Sequence, residues 1–170
     1  GRQQIQEIVG FTQNKAALDL GIDGLSEFDT QDTSTNLNGS VISASQLLDA
    51  YATQTTQGLF QGTLVVFTDG TDQAGWSSDG NALNVLESSN NAVYSIGLGA
   101  EADNIHMHSI GRDGSWMADS VNELSGVFTA LSNVIINQSN SLYTLAYCSP
   151  KRNGAHTLEM RVDDLKLTYD

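Results

Sequence analysis

Gly62-Thr-Leu-Val-Val-Phe-Thr-Asp-Gly-Thr-Asp72 is the stretch on which the fold turns. Leu64 to Phe67 are apolar, two of them β-branched, and glycines bound the run on both sides. That composition predicts a short buried strand. The chain leaves it through Thr68-Asp69-Gly70, which sets a carboxylate at the strand's carboxyl end. In open α/β sheets that edge is where ligands bind. A carboxylate there holds a hard cation, acts on a phosphoryl group, or simply shapes an Asp-Gly turn.

The phosphoryl option is excluded by one position. Phosphatase-like sites of the haloacid dehalogenase type read Asp-x-Asp-Gly-Thr, and Asp69-Gly70-Thr71 fits the second half. The nucleophile position two residues earlier is Phe67, whose ring cannot attack phosphorus. A cation ligand and a plain turn remain.

Outward from this strand, helix and strand patterns alternate. Val41, Ile42, Ala44, Leu47, Leu48 and Tyr51 make one helical stripe. A short helix is read over Ala82–Leu86, a buried strand over Ala92–Gly99, another short helix near Asn104–Ile110 and a strand over Ser115–Ala118. Ser120 and Glu123 have capping-box spacing ahead of a stripe of Val121, Leu124, Val127, Phe128, Leu131, Val134 and Ile135. This alternation from residue 40 to 137 predicts an α/β fold: a doubly wound, mostly parallel, Rossmann-like sheet flanked by helices.

The ends read differently. Ile5, Ile8, Val9 and Phe11 suggest a strand over residues 4–11, and Ala16, Leu18 and Leu20 alternate at strand period, so the two runs can pair as a hairpin. A short helix capped by Thr12 is the competing reading. Past Asn140, Leu142–Cys148 and His156–Val162 read as strands joined through Asn153-Gly154, a terminal β hairpin. The organisation expected is therefore 1–140 for the α/β unit and 141–170 for the hairpin extension.

The 170 residues suit one domain with a real core. No run approaches a membrane span, and no charged n-region followed by an apolar stretch opens the chain, so no signal peptide is read. The chain begins at Gly1 rather than Met, as expected of a processed or excised piece. Net charge is −13, and no Lys or Arg falls between Lys15 and Arg112 while 12 Asp or Glu do. Such a surface repels phosphate backbones and anionic lipid and attracts divalent cations or basic partners. It equally serves plain solubility in a salty or extracellular setting. Cys148 is the sole cysteine, which precludes an internal disulfide, and its apolar run reads as that of a buried, inert thiol.

Ser34-Thr35-Asn-Leu-Asn-Gly-Ser-Val ahead of a helix, followed one crossover later by Val65-Val-Phe-Thr-Asp69-Gly, resembles the middle of a von Willebrand factor A domain of bacterial surface or secreted type. The Val93-Tyr-Ser-Ile-Gly-Leu-Gly strand and the Gly111–Ala118 segment are similar to the same family, and the Tyr143–Val162 hairpin to the tail of some members. The resemblance implies a metal-ion-dependent adhesion site at the carboxyl edge of the sheet, with Thr35 and Asp69 matching two of its ligands. It implies a divalent cation, Mg²⁺ or Mn²⁺, whose open position takes a partner protein's Asp or Glu; hydroxyls and carboxylates suit such hard ions. It also implies an extracellular or bacterial cell-surface location, with a periplasmic one as the variant.

The sequence departs from that pattern where the family carries most of its ligands. Asp-x-Ser-x-Ser is nowhere in the chain. The family's strand order is 3-2-1-4-5-6; residues 4–11 match the second strand, Ala16–Leu20 the third and Leu64–Phe67 the fourth. The absent first strand belongs in the middle, so the resemblance implies an open apolar seam. Either a separate polypeptide supplies that strand by complementation, such as an amino-terminal fragment of the same precursor, or the sequence is truncated.

Other residues carry weaker signals. His106 and His108 diverge by roughly 200° on a helix and read as exposed. Asp72 can fix its loop, but its first reading is an ordinary surface carboxylate. Asp113 reads as turn chemistry. Trp76 is either a contact anchor on the acidic loop or a half-buried plug. No Ser-His-Asp or Cys-His arrangement has support, and Gly97-Leu-Gly99 lacks the third glycine of a dinucleotide site, so a non-enzymatic protein is expected. The expected function is cation-assisted protein binding. A structural subunit with a vestigial ion site, associating by strand pairing, is the alternative, and an accessory domain of an ATPase machine a third.

Overall fold

The structure, a computed structural model, describes residues 5–27, 34–54, 60–141, 154, 157–162 and 165–169. Its centre is a three-stranded parallel sheet of β1 (Thr63–Thr68), β2 (Ala92–Leu98) and β3 (Gly114–Ala118), in that spatial order. β1 pairs with β2 from Thr63↔Ala92 to Thr68↔Gly97, and β2 with β3 from Tyr94↔Gly114 to Leu98↔Ala118. Parallel neighbours need crossovers, which α3 (Asp79–Ser88) and α4 (Asn104–Ile110) supply. β2, the middle strand, is buried on both faces, which is why its sequence reads as a nearly continuous apolar run. Gly97 lets the Met117 side chain of β3 lie across it: a Cβ there would lie 2.6 Å from Met117 Sδ and force that side chain to move.

Strand alternation divides the core into two layers. On one face Val66 and Val93 pack with Leu37 and Val41 of α2 (Leu37–Gln54), Ala82 and Leu86 of α3, and Met107 and Ile110 of α4. On the other, Tyr94 and Ile96 pack with Trp116 and with Leu124, Val127, Leu131 and Ile135 of α5 (Val121–Ser139). Helices thus lie on both faces, as the alternation predicts. The order β1-β2-β3 is that of the fourth, fifth and sixth strands implied by the resemblance. Ile96 is fully buried, so truncating it to Ala would cost about 2–5 kcal/mol.

The two faces are covered unequally near β1. Val65 and Phe67 point toward the α5 side and remain 38% and 47% exposed. Phe67 meets the ring of Phe128, itself 41% exposed, with centroids 5.9 Å apart. Among the described residues no strand pairs with the outer edge of β1.

The amino-terminal hairpin expected over residues 4–11 and Ala16–Leu20 is not what forms. Residues 5–14 have no regular structure and Lys15–Gly24 is a helix, α1. Ala16, Leu18 and Leu20 alternate, but Ala and Leu are strong helix formers. Asn14 accepts from the Ala16 and Ala17 amides, and Lys15 pairs with Asp19 one turn on. The cap is Asn14; Thr12 Oγ1 instead accepts from the Asn14 amide. The segment is tied down by a tilted aromatic series, Phe11–Tyr51–Phe60, with centroids 4.5 and 5.8 Å apart.

At the other end an antiparallel pair does form, with a shifted partner. β4 (Leu158–Val162) pairs with β5 (Leu165–Tyr169). The expected strand over 142–148, Cys148 included, lies outside the described residues. The capping box before α5 is also modified: Glu123 reaches the amide of Asp119 rather than that of Ser120, while Ser120 Oγ donates to Glu123.

Candidate functional site at the carboxyl edge of the sheet

Both residues matched to the ion site lie at the carboxyl end of β1. The strand leaves the sheet through a tight turn in which Thr68 Oγ1 accepts from the Gly70 amide at 3.2 Å and donates to the Gly70 carbonyl at 3.0 Å. This turns Asp69 outward. It is exposed, and its carboxylate makes no hydrogen bond or ion pair among the described residues. Thr35 precedes α2 and reaches the same turn: a Cβ placed on Gly70 would lie 3.6 Å from Thr35 Oγ1. The Thr35 carbonyl accepts from the amides of Gln73 and Ala74, at 2.9 and 3.1 Å. The loop before α2 and the loop after β1 are thereby joined.

Asp72 is no ordinary surface carboxylate. Its Oδ2 accepts from the Asn38 amide at 2.8 Å and its Oδ1 from the Gly75 amide at 2.9 Å. Asn38 is the second residue of α2, so Asp72 satisfies one of the helix's unpaired amino-terminal donors from 34 residues away. The next donor, Gly39 N–H, is taken locally by Asn36 Oδ1 at 3.2 Å. A Cβ on Gly39 would approach that oxygen to 2.3 Å, hence a glycine there.

Asn38 is 1% exposed, and its side chain is fully engaged. Nδ2 donates to the Ser77 carbonyl at 3.1 Å and to Asp79 Oδ1 at 2.8 Å, while Oδ1 lies 3.0 Å from His106 Nε2. Two acceptors around Nδ2 fix the orientation of the amide, so the His106 proton is assigned to Nε2. His106 is therefore not an idle exposed histidine; its side chain is 10% exposed and it also lies 3.7 Å from Asp79 Oδ1. His108, by contrast, is exposed, as the angle between the two positions requires. Sequence reasoning missed Asn38 because nothing local distinguishes it from any Asn in a polar loop. Trp76 is 51% exposed, so about half of the ring is covered and half is open to solvent.

Thr35 and Asp69 suit a hard cation in kind, since both offer oxygen. They do not suit it in number: Mg²⁺ takes six oxygens in a tight octahedron, and both oxygens of Asp72 are occupied by amides. Among the described residues no three His, Cys, Asp or Glu side chains come together around a common point.

No family model matches the sequence, and no curated protein does. Solved structures do. Proximal thread matrix protein 1 from the mussel byssus matches with 17% identity and a TM-score of 0.56 over 74% of this chain and 32% of that one. The same protein with zinc occupying its MIDAS motif matches with 16% identity and a TM-score of 0.58 over 75% and 33%. A further crystal form gives 13% identity and a TM-score of 0.54 over 76% and 31%. A MIDAS motif is the metal-ion-dependent adhesion site named above. The fold is von Willebrand factor A-like. The chain spans about a third of the length of the solved structures that it matches. At this identity the likeness speaks for the fold and not for the activity.

Proposed function

We propose that this chain is a protein-binding module in which a divalent cation, held in part by Thr35 and Asp69, ligates a carboxylate of the partner. The observation that carries the reading is the convergence of the Thr35 hydroxyl and the Asp69-Gly70 turn on one open rim of the sheet. A bound Mg²⁺ or Mn²⁺ would supply a positive position open to an Asp or Glu. This chain's own residues present two oxygens without competing partners; the remaining donors come from a segment outside it or from water. A net charge of −13 favours cations at this surface and disfavours nucleic acid and anionic lipid. No helix among the described residues is long and apolar enough to cross a membrane, and we place the module at a cell surface or in a secreted assembly. We read it as non-enzymatic. The test is binding to partner in the presence and absence of EDTA, with Asp69→Ala beside it. Both should abolish binding; binding that survives both would discard the cation.

A second reading rests on a separate observation. The outer edge of β1 is unpaired among the described residues, and apolar groups flank it on both faces. On the α2 side, a cavity of about 270 Å³ is lined by Leu64, Val66, Leu37, Val41, Asn36 and Thr35. A strand from another polypeptide added there would face apolar surroundings on both sides and carry a continuous apolar run. In this reading the chain is a structural subunit and its ion site is vestigial. Association that ignores chelation but fails with Phe67→Asp would favour it over the first.

A further inference from the structure

We propose that the outer edge of β1 takes an extended strand of a partner polypeptide, aliphatic on both faces, with Lys or Arg at the end that reaches the carboxyl rim. The assignment rests on the strand-pairing reading above and names its partner. β1 is Thr63-Leu-Val-Val-Phe-Thr68, without charge, proline or glycine. Its register with β2 runs unbroken, so no bulge turns the edge aside. Sheet edges that stay free normally carry one of those devices. Among the described residues this edge has none and pairs with no strand. A strand laid along it would set about three side chains to each face. On the α2 side they would enter the 270 Å³ cavity. An apolar cavity of about 150 Å³ already holds a benzene-sized group, so there is room for about two aliphatic side chains. On the other side they would cover Val65 and Phe67, now 38% and 47% exposed.

Charge decides the occupant. The loops that leave the three strands at the carboxyl rim, 69–78, 99–103 and 119–120, carry Asp69, Asp72, Glu101, Asp103 and Asp119 and no Lys or Arg. Asp69 is exposed and stands at the end of the open strand itself. Glu101 and Asp103 follow the neighbouring strand, and Asp119 the one beyond, about 5 and 10 Å further in at ordinary strand spacing. Both lie within the Debye length of about 10 Å at 0.1 M salt. The amino end of β1 is neutral by contrast. Phe60, Gln61 and Gly62 lead into it, and the Asp49 carboxylate is held by Ser89 and Asn91. An added strand is therefore drawn in one polarity, with its basic end at Asp69. A second copy of the chain meets the opposite field: each copy carries −13, and no Lys or Arg flanks its own β1.

The test is selection against the whole chain from a display library of random peptides long enough to span β1. It is run in EDTA, so that no divalent cation takes part. Selected peptides should share a run as long as β1, rich in Val, Ile, Leu or Phe, with Lys or Arg at one end only. N-methylation of alternate amides in the best binder then reads strand addition directly. One alternate set should abolish binding and the other leave it, because only every second N–H faces β1. This arm uses the unaltered chain, so it stands even if Phe67→Asp, which should also abolish binding, fails to fold. Asp69→Asn should weaken binding about two- to fivefold. That loss should vanish at 1 M salt, where screening acts within about 3 Å. Binders that show the alternating pattern but have no basic bias and ignore Asp69→Asn would overturn the basic partner and leave the strand-pairing reading standing. Binders blind to the N-methyl pattern, or a library that yields none, would overturn both. A chain that sediments as a dimer, and as a monomer with Phe67→Asp, would give the edge to a second copy and overturn the proposed partner.

Discussion

The two edges of the sheet use the same residue types to opposite ends. At the amino edge Arg112, Asp113, Asp49 and Asn91 turn their polar groups inward. Arg112 donates to the carbonyls of Leu86, Ser89 and Asn91, closing the end of α3. Asp113 Oδ2 accepts from the Val93 amide at 2.8 Å, and Asp49 Oδ1 accepts from Ser89 Oγ and Asn91 Nδ2. Asn91 Oδ1 in turn takes the Gly62 amide at 3.1 Å, where β1 begins. At the carboxyl edge Asp72 and Asn38 are spent in this way too, but Asp69 is left exposed, with the part-buried Thr35 beside its turn. A polar cluster that satisfies itself stabilises the fold; an exposed carboxylate bonded only to water contributes little to it.

The difference can be broken most forcefully at Arg112. Arg112→Ala strips three main-chain carbonyls of a charged donor, and hydrogen bonds to charged groups are worth about 1.5–3 kcal/mol each before solvent replaces some of them. A loss of about 3 kcal/mol is expected in denaturant unfolding, with cation-dependent binding unchanged in the fraction that stays folded. Arg112→Lys should recover little, because one ammonium cannot reach three carbonyls in a fork. A loss below about 1 kcal/mol would mean that the amino edge is not the structural one.

That split was only partly legible beforehand. β1 and β2 could be read because a buried parallel strand advertises itself as an apolar run, and α5 because its stripe repeats at helical period. α1 was legible only as the competing reading: Ala16, Leu18 and Leu20 satisfy strand alternation, and helix propensity, the Asn14 cap and the Lys15–Asp19 pair decide for helix. Asp69 was visible as an Asp-Gly following a strand, whereas Thr35 has no local mark and came only through family resemblance. Asp72, Asn38 and His106 were opaque because their partners lie 34 to 68 residues away. Long-range hydrogen bonds leave no period in a sequence.

A smaller effect sharpens the picture from inside the sheet. Tyr94 starts near the amino edge, its hydroxyl donating to Gln138 Oε1 at 2.7 Å. Burial raises its phenol above the ordinary value of 10.0, and the negative Asp113 adds to the rise. The neutral phenol is thus favoured in the folded state. Below pH 10 it is neutral in both states and its stability is fully present. As pH climbs past 10 the unfolded chain ionises first, and stability falls until the native phenol ionises as well. Tyr94→Phe should lose about 1 kcal/mol at neutral pH through the missing hydrogen bond. It should also flatten the alkaline limb of the stability curve, and an equally steep limb would assign the alkaline loss to other groups.

The smallest effect is expected at Asp69, and there its smallness is the point. An exposed carboxylate with no partner contributes nothing to the native state that water does not also give the unfolded chain. In a chain of net charge −13 its removal also relieves some repulsion. Asp69→Asn should therefore change stability by no more than about 0.5 kcal/mol. Any gain should vanish at 1 M salt, where screening acts within about 3 Å. Thermal melts at low and high salt measure both. A loss above about 1 kcal/mol would show that Asp69 is engaged inward after all, like Asp113, and the carboxyl rim would then be one more sealed edge. A neutral or slightly stabilised protein that no longer binds a cation would show the reverse: a side chain kept at the rim for what it holds and not for the fold.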